Sequence, residues 1–412
     1  MNVLTIFSGA GGADIGLRDA GLQHVLGVEL DPVAARSARL GGFHVLTDDV
    51  RTYDWQGVAR RERVDLVWAS PPCQDWSTAG NRLGADGERN GWPWTLDVLD
   101  AVRPAWLLAE NVPGMLSGSA RSYTRALLSE LRRRFAWAEA RVLDAADFGV
   151  PQRRRRVIFA AGPHPLQWPD PTHSGEALAV AKWRTGSYWR ELGVDTVGKP
   201  SRAEARWLEQ YDAEQAQVGL FGQALPDRYG LRPWRTVRQA LGLGGMLGGM
   251  RNTENHPTQE RPAPTDEPSP TVGGGGNLIW QLHTNQTTGN GSKRGPRRHV
   301  VGVDRPAPTV RAQDGTGHQL TWSEDPKHPT VCLEQPCTTL RSGGDGHAAP
   351  PTWVRLDSGR RRLTPEECAA LQGFPPGYRF AGTKTSIYKQ IGNAVPPPLA
   401  QALGEAVQRA LF

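Results

Sequence analysis

Val67-Trp-Ala-Ser-Pro-Pro-Cys-Gln-Asp-Trp-Ser77 is the stretch around which the chain is organised. The apolar run from Val64 to Ala69 reads as a short buried strand. Ser70-Pro71-Pro72 stops it, because proline lacks the N–H that the ladder of a central strand requires. Cys73 therefore stands just past the strand's carboxyl end, where open α/β sheets place their ligand crevice. A free cysteine is most often packing material. The two prolines and the polar Gln74-Asp75 favour a thiol set out for chemistry.

Upstream, Val3 to Phe7 reads as a first strand, Ser8-Gly9-Ala10-Gly11-Gly12 as a turn, and Ala13 to Ala20 as a helix ended by Gly21. Val25 to Glu29 is a second strand. Asp31 caps the helix Val33 to Leu40, with Pro32 at its first position, and Phe43 to Leu46 is a third strand followed by Asp48-Asp49. A glycine turn between strand and helix lets a ligand approach the backbone. A carboxylate ending the next strand can accept hydrogen bonds from ribose hydroxyls. Gly9-x-Gly11-Gly12 is not the dinucleotide fingerprint, yet with Glu29 and Asp49 behind it the favoured ligand is of adenosine type. The plainer reading is a tight turn beside solvated acids.

Downstream, Asp75 to Pro93 carries several glycines with Arg82 and Arg89, and its length beside Cys73 suggests a lid over substrate. Thr95 to Val102 is a short helix. Ala105 to Ala109 is a buried strand ending at Glu110-Asn111, on the same sheet edge as Cys73. Tyr123, Leu127, Leu131 and Phe135 repeat at helical spacing and read as core. After a strand from Ala138 to Leu143, Gln152-Arg153-Arg154-Arg155-Arg156 leads into the strand Val157 to Ala161. Strand alternation puts Arg154 and Arg156 on one face, Arg153 and Arg155 on the other.

From Pro163 the composition shifts towards Pro, Gly, Thr and Trp. A helical piece spans Arg202 to Gln217, and short strands joined by glycine loops follow, with a loose, unequally spaced Pro-Thr-Val repeat and a basic loop at Lys293 to Arg298. Thr364-Pro-Glu-Glu367 starts a helix that ends at Gly373. Gln390 to Pro398 is expected to open the last helix, Leu399 to Leu411, whose amphipathic pattern suggests packing against the first domain.

At 412 residues, two domains are expected. With 38% hydrophobic residues and 15 Trp the chain can pack globular cores. No apolar run approaches the ~18 residues of a membrane span, and the chain begins directly on a strand, so it is expected to be cytoplasmic. The cysteines (Cys73, Cys332, Cys337, Cys368) are too scattered for a disulfide framework, and His328, Cys332 and Cys337 match no usual zinc spacing, so no metal is expected. The net charge of +6 suits a polyanionic partner, although the dominance of Arg over Lys also fits a GC-rich coding sequence.

Taken in order, these pieces resemble the DNA cytosine-5 methyltransferase family. Phe7-Ser-Gly-Ala-Gly-Gly12 looks like its first motif, Pro71-Pro-Cys-Gln74 with Ser77 its nucleophile motif, and Glu110-Asn-Val112 its acid motif. Gln152-x-Arg154-x-Arg156 resembles the basic motif. Arg362-Leu-Thr-Pro-Glu366 through Gln372-Gly-Phe-Pro375 resembles the ninth motif, and Gly392-Asn-Ala-Val395 the tenth. The likeness covers roughly 1–172 and 355–412. Trp76 stands where Phe is common and Asp48 where Gly often stands, and the insert at about 174–232 is longer than in compact members.

The resemblance implies an α/β fold. A Rossmann-like, mostly parallel catalytic domain would span 1–172 and bind S-adenosylmethionine. A smaller, irregular β-rich target-recognition domain would span 173–384, with the insert at about 174–232 and a hinge helix at 364–373. The segment 385–412 would return to complete the first domain. Phe7, Gly9, Gly11, Gly12, Glu29, Asp49, Pro72, Asn393 and Val395 would line the cofactor site, with Glu29 on the ribose and Asp49 on the adenine amine. Cys73, Glu110, Asn111, Arg154 and Arg156 would carry catalysis, Asn111 by positioning the acid. Gln74, Ser77, Arg82, Arg89 and Gln152 would meet DNA. The product would be S-adenosylhomocysteine. The expected partner is double-stranded DNA, bound by a monomer acting at the nucleoid, with a cognate restriction endonuclease as a further partner. The rivals are a tRNA cytosine-5 methyltransferase, a non-catalytic DNA-binding relative and a small-molecule oxidoreductase.

Overall fold

The computed structural model describes residues 1–72, 90–118, 120–196, 198–221, 227–242, 279–283, 298–302, 330–331, 336–338, 353–356 and 359–410. Its first half alternates strand and helix: β1 (Asn2–Ile6), α1 (Gly12–Asp19), β2 (Gln23–Glu29), α2 (Pro32–Leu40), β3 (Val45–Thr47) and α3 (Trp55–Arg61). Then come β4 (Leu66–Ala69), α4 (Trp92–Val102), β5 (Trp106–Asn111), α5 (Ala120–Arg134), β6 (Trp137–Asp144), β7 (Gln152–Arg153) and β8 (Arg155–Gly162).

A seven-stranded sheet runs β3-β2-β1-β4-β5-β8-β6. The first five strands are parallel, and β8 lies antiparallel to both β5 and β6. Strand order reverses between β1 and β4, so the crevice opens at their carboxyl ends. Successive side chains serve opposite faces. Leu4, Ile6, Val67, Leu107 and Phe159 pack with α3, α4 and α5, while Val3, Leu66, Trp68, Trp106 and Ile158 pack with α1 and the C-terminal helix. Two covered faces explain why β4 and β5 read as continuous apolar runs rather than alternating ones.

The insert is a folded helical unit. It contains β9 (His173–Ser174), α6 (Gly175–Trp183), α7 (Ser187–Leu192), α8 (Arg202–Phe221), β10 (Arg232–Pro233) and α9 (Val237–Leu241), and β9 pairs with β10. Leu178, Ala181, Tyr188, Trp189 and Trp234 form its core, and Ala146 of the catalytic domain belongs to the same cluster. A buried Lys182–Glu204 pair (2.9 Å) ties α6 to α8. Beyond it lie β11 (Ile279–His283), β12 (Arg298–Gly302), β13 (Thr330–Val331), β14 (Cys337–Thr338), β15 (Trp353–Leu356) and β16 (Gly359–Arg362). The repeat and most of the basic loop fall outside the described residues. Among the described residues of this region, β14 reaches the catalytic domain: it pairs with β7, Cys337 opposite Gln152.

Three helices close the chain: α10 (Pro365–Gln372), α11 (Lys384–Asn393) and α12 (Pro397–Arg409). Two expectations shift here. Gln390 to Asn393 ends α11 instead of opening the last helix, because the Val395-Pro396-Pro397 run breaks the chain between them. The return to the catalytic domain begins at Leu363, well before 385. Leu363, Cys368, Leu371 and Phe374 share a core with Ile15, Ala35 and Ala38 of α1 and α2. Among the described residues, no helix is long and apolar enough to cross a membrane.

Candidate active site

The carboxyl edge of the sheet gathers most of the residues singled out in the sequence. β5 ends on Glu110 and Asn111, both buried. Because β8 runs antiparallel, with Asn111 opposite Val157, Arg156 emerges beside the end of β5. Its Nε meets Glu110 Oε1 at 2.5 Å. Arg156 thus reaches the acid across the sheet.

Cys73 lies outside the described residues, as do Gln74, Ser77, Arg82 and Arg89. The two ends of the segment between Pro72 and Asn90 are nevertheless fixed. Asn111 Nδ2 donates to the carbonyl of Pro71 at 3.3 Å, while its Oδ1 accepts from the Val112 amide at 2.8 Å. A Cβ on Gly91 would sit 2.6 Å from Pro72 Cδ, so Pro72 packs directly on the re-entry point. Asn111 was expected to position the acid. It holds the peptide two residues before Cys73 instead, since an amide at a strand's last position bridges to the neighbouring parallel strand.

Arg154 and Arg156 do share the inward face, and Arg155 is exposed. They do separate jobs, however. Arg154 Nη2 donates to the carbonyl of Gly392 at 3.0 Å, and its amide to Asp144 Oδ1 at 3.0 Å. Its guanidinium therefore braces the return segment, whereas Arg156 meets the acid. Gln152 is a correction. Expected at DNA, it is fully buried, with Nε2 donating to Gln372 Oε1 (2.6 Å) and the Leu371 carbonyl (3.3 Å). Pairing with β14 and packing against α10 take it out of reach.

The glycine turn lies across the reversal of strand order from this group. Phe7, at φ 55°, and Gly9, at 59°, both adopt the left-handed region, uncommon for a phenylalanine. Among the described residues nothing lies within 4 Å of where a Cβ on Gly9 would stand, leaving room for a ligand against the backbone. The other glycines serve packing: a Cβ on Gly12 would collide with the carbonyl of Val395, and one on Gly11 would meet the hydroxyl of Tyr378. Val395 is buried and Asn393 exposed.

Glu29 ends β2 and accepts the amides of Gly9 and Asp31, each at 2.8 Å. Burial raises its pKa against the lowering effect of those two bonds. Asp49 follows β3, and the Arg51 guanidinium, hydrogen-bonded to its carboxylate, holds its pKa below the usual range. Two contributors carried no sequence signal strong enough to be singled out. Leu30, next to Glu29, stays 63% exposed although large and apolar. Tyr378 reaches the turn from a loop far away in sequence. Among the described residues, no group of His, Cys, Asp and Glu could hold a metal ion.

An open glycine, a half-buried carboxylate bound to two backbone amides and an exposed leucine beside it fit a nucleoside-type group. A family model described as C-5 cytosine-specific DNA methylase matches residues 1–215 and 254–409. The Type II methyltransferase M.NgoMIV of Neisseria gonorrhoeae is 26% identical over 414 residues, covering 99% of this chain and 97% of that protein. M.NaeI of Lentzea aerocolonigenes is 28% identical over 419 residues, covering 100% of this chain and 75% of its own length. Among solved structures, the Dnmt2 methyltransferase of S. pombe aligns over the whole of both chains, with a TM-score of 0.51 and 14% identity, a likeness of fold alone.

Proposed function

The chain belongs to the C-5 cytosine-specific DNA methylase family, and from that premise we propose that Cys73, Glu110 and Arg156 methylate carbon 5 of a cytosine flipped out of duplex DNA. The observation that most supports this is the Glu110–Arg156 pair at the strand edge to which Asn111 also ties the peptide before Cys73. Carbon 5 of cytosine is a poor nucleophile. Addition of the Cys73 thiolate to carbon 6 pushes electron density towards carbon 5, with the excess charge drawn to the N3 side of the ring. Glu110, held by Arg156, hydrogen-bonds N3 there and supports a proton on it. S-adenosylmethionine, when bound, supplies an electrophilic methyl group on a sulfonium. Carbon 5 takes that methyl group; a water then accepts the carbon 5 proton, the electron pair of that C–H bond expels Cys73 as thiolate, and N3 returns its proton to Glu110, which restores the ring.

Glu29 would take the ribose hydroxyls with the oxygen capacity left by Gly9 and Asp31, Leu30 would lie against the adenine, and Asp49 would take its amine. Pro72, Asn393 and Val395 would complete the walls. The base must leave the stack, at a cost of a few kcal/mol. Gln74, Ser77, Arg82 and Arg89, in the segment carrying Cys73, are assigned to that step and to phosphate. The relatives are Type II methyltransferases, which supports reading this chain as a modification enzyme, and a cognate restriction endonuclease is the partner proposed with it. A monomer suffices, since one copy of the chain supplies every group assigned here.

Bisulfite sequencing of host DNA after expression should reveal methylcytosine at one recurring sequence. Methylation confined to tRNA in parallel assays would replace the DNA reading. Cys73→Ala should retain binding of S-adenosylhomocysteine and DNA while losing methyl transfer. Residual transfer by that variant would remove Cys73 as nucleophile.

A further inference from the structure

The turn from Ser8 to Gly11 contains two glycines in the left-handed region, at φ 59° and 86°. Glycine occupies either sign of φ with little penalty, so Gly11 does not by itself fix the orientation of the peptide that joins it to Ala10. Something else must select it. Gly9 is held by Glu29 through its amide, and Gly11 N–H donates to the Ser8 carbonyl at 3.3 Å. The carbonyl of Ala10 is held from outside the turn: the hydroxyl of Tyr378 donates to it at 2.6 Å. That hydroxyl also stands 2.8 Å from where a Cβ on Gly11 would be.

Tyr378 is itself firmly placed. Its ring packs against Phe374 and Phe380, each 5.0 Å away between centroids, and fills the space over Gly41 at the end of α2. Three residues on, the Ala381 amide donates to Ser37 Oγ of α2 at 2.8 Å. Gln390 of α11 accepts from that same Ser37 hydroxyl and donates to the Ala381 carbonyl at 2.9 Å. The loop between α10 and α11 is thus bolted to α2, with its one phenol aimed at the turn.

We infer that Tyr378 is a positioning residue for cofactor binding: its hydroxyl fixes the Ala10–Gly11 peptide and so keeps the turn in its binding-competent form. The inference rests on the assignment of this turn to S-adenosylmethionine. Without the bond, the competent turn is one of several populated forms, and apparent affinity falls in proportion to its share. Loss of one part-buried hydrogen bond of this kind corresponds to roughly a five- to thirty-fold weaker Kd.

The test is calorimetric titration of S-adenosylhomocysteine into the purified full chain, with Tyr378→Phe beside Tyr388→Phe. The second variant deletes a comparable bond, from Tyr388 to the Leu363 carbonyl at 2.6 Å, away from the turn. Tyr378→Phe should weaken binding five- to thirty-fold and raise KM for S-adenosylmethionine, with kcat at saturation little changed. Tyr388→Phe should bind as the parent does, whatever its melting temperature. Parent-like binding by Tyr378→Phe, or an equal loss in both variants, overturns the inference. A parent chain that does not bind S-adenosylhomocysteine overturns the cofactor assignment beneath it.

Discussion

Single residues at the crevice divide by whether their partners are local or distant. Glu29 bonds within its own strand–turn–strand unit, so its contacts follow from its place at the end of β2. Glu110 depends on a partner 46 positions away in sequence, Arg156, which only the antiparallel placement of β8 delivers. Substituting Glu110 by Gln keeps the shape and a hydrogen-bonding group but removes the acid and its ion pair. Methyl transfer should drop roughly 100- to 10,000-fold, the usual contribution of a positioned general acid, with S-adenosylhomocysteine affinity intact. A variant that keeps most of its kcat would take Glu110 out of the chemistry. Asn111→Ala should act differently, through the unanchored Pro71 carbonyl: a fall in rate together with faster proteolysis between Pro72 and Asn90.

At the scale of elements, α1 and α12 approach so closely that side chains are excluded between them. A Cβ on Gly16 would collide with the Pro397 carbonyl and stand 2.6 Å from the Gln401 amide, both of them backbone. Alanine is the better helix former by about 1 kcal/mol, but overpacking against backbone costs about 1–3 kcal/mol and must part the helices. Gly16→Ala should therefore lower the urea midpoint and, by moving Val395 off Gly12, weaken cofactor binding too. An unchanged midpoint would mean that α12 is more loosely seated than this contact implies. The helix starts were legible because their signals are local. Asp31 with Pro32 and Thr364 with Glu367 cap α2 and α10 as expected, the latter with both bonds of a capping box. The end of α11 was not, because the residues before the proline run also suit the opening of a helix.

For the molecule as a whole, the insert meets the catalytic domain through two titrating groups of opposite tendency. Burial pushes Asp147 up to about 6 although Trp234 Nε1 donates to it at 2.9 Å. Burial, with Arg232 and Arg235 nearby, pushes His173 down to about 4. The folded state binds the Asp147 proton more tightly than the unfolded chain does, so that contribution is full below the ordinary value of 3.8 and is lost as pH rises through 6. For His173 the unfolded chain binds the proton more tightly, so stability is lost as pH falls from 6.5 towards 4. The two slopes oppose each other. Asp147→Asn should gain on the parent by about 1–2 kcal/mol between pH 4 and pH 7, after allowance for solvent screening. Denaturant melts of both proteins at the two pH values check this, and a pH-independent difference would mean that Asp147 ionises freely in the folded chain.

The sequence by itself determined the strand–turn–helix order of the first half, the edge on which Glu110 and Glu29 are carried, and the family. These follow from patterns within a few residues: apolar runs, prolines, caps and glycine turns. Tertiary structure alone decided that Gln152 is sealed against Gln372, that Arg154 braces Gly392 while Arg156 meets the acid, that Asn111 holds the Pro71 peptide, and that Tyr378 reaches the glycine turn. Each of those contacts joins residues remote in the chain or on neighbouring strands. Their partners are chosen by which strands lie side by side and where the C-terminal helices return, and no local pattern encodes that choice.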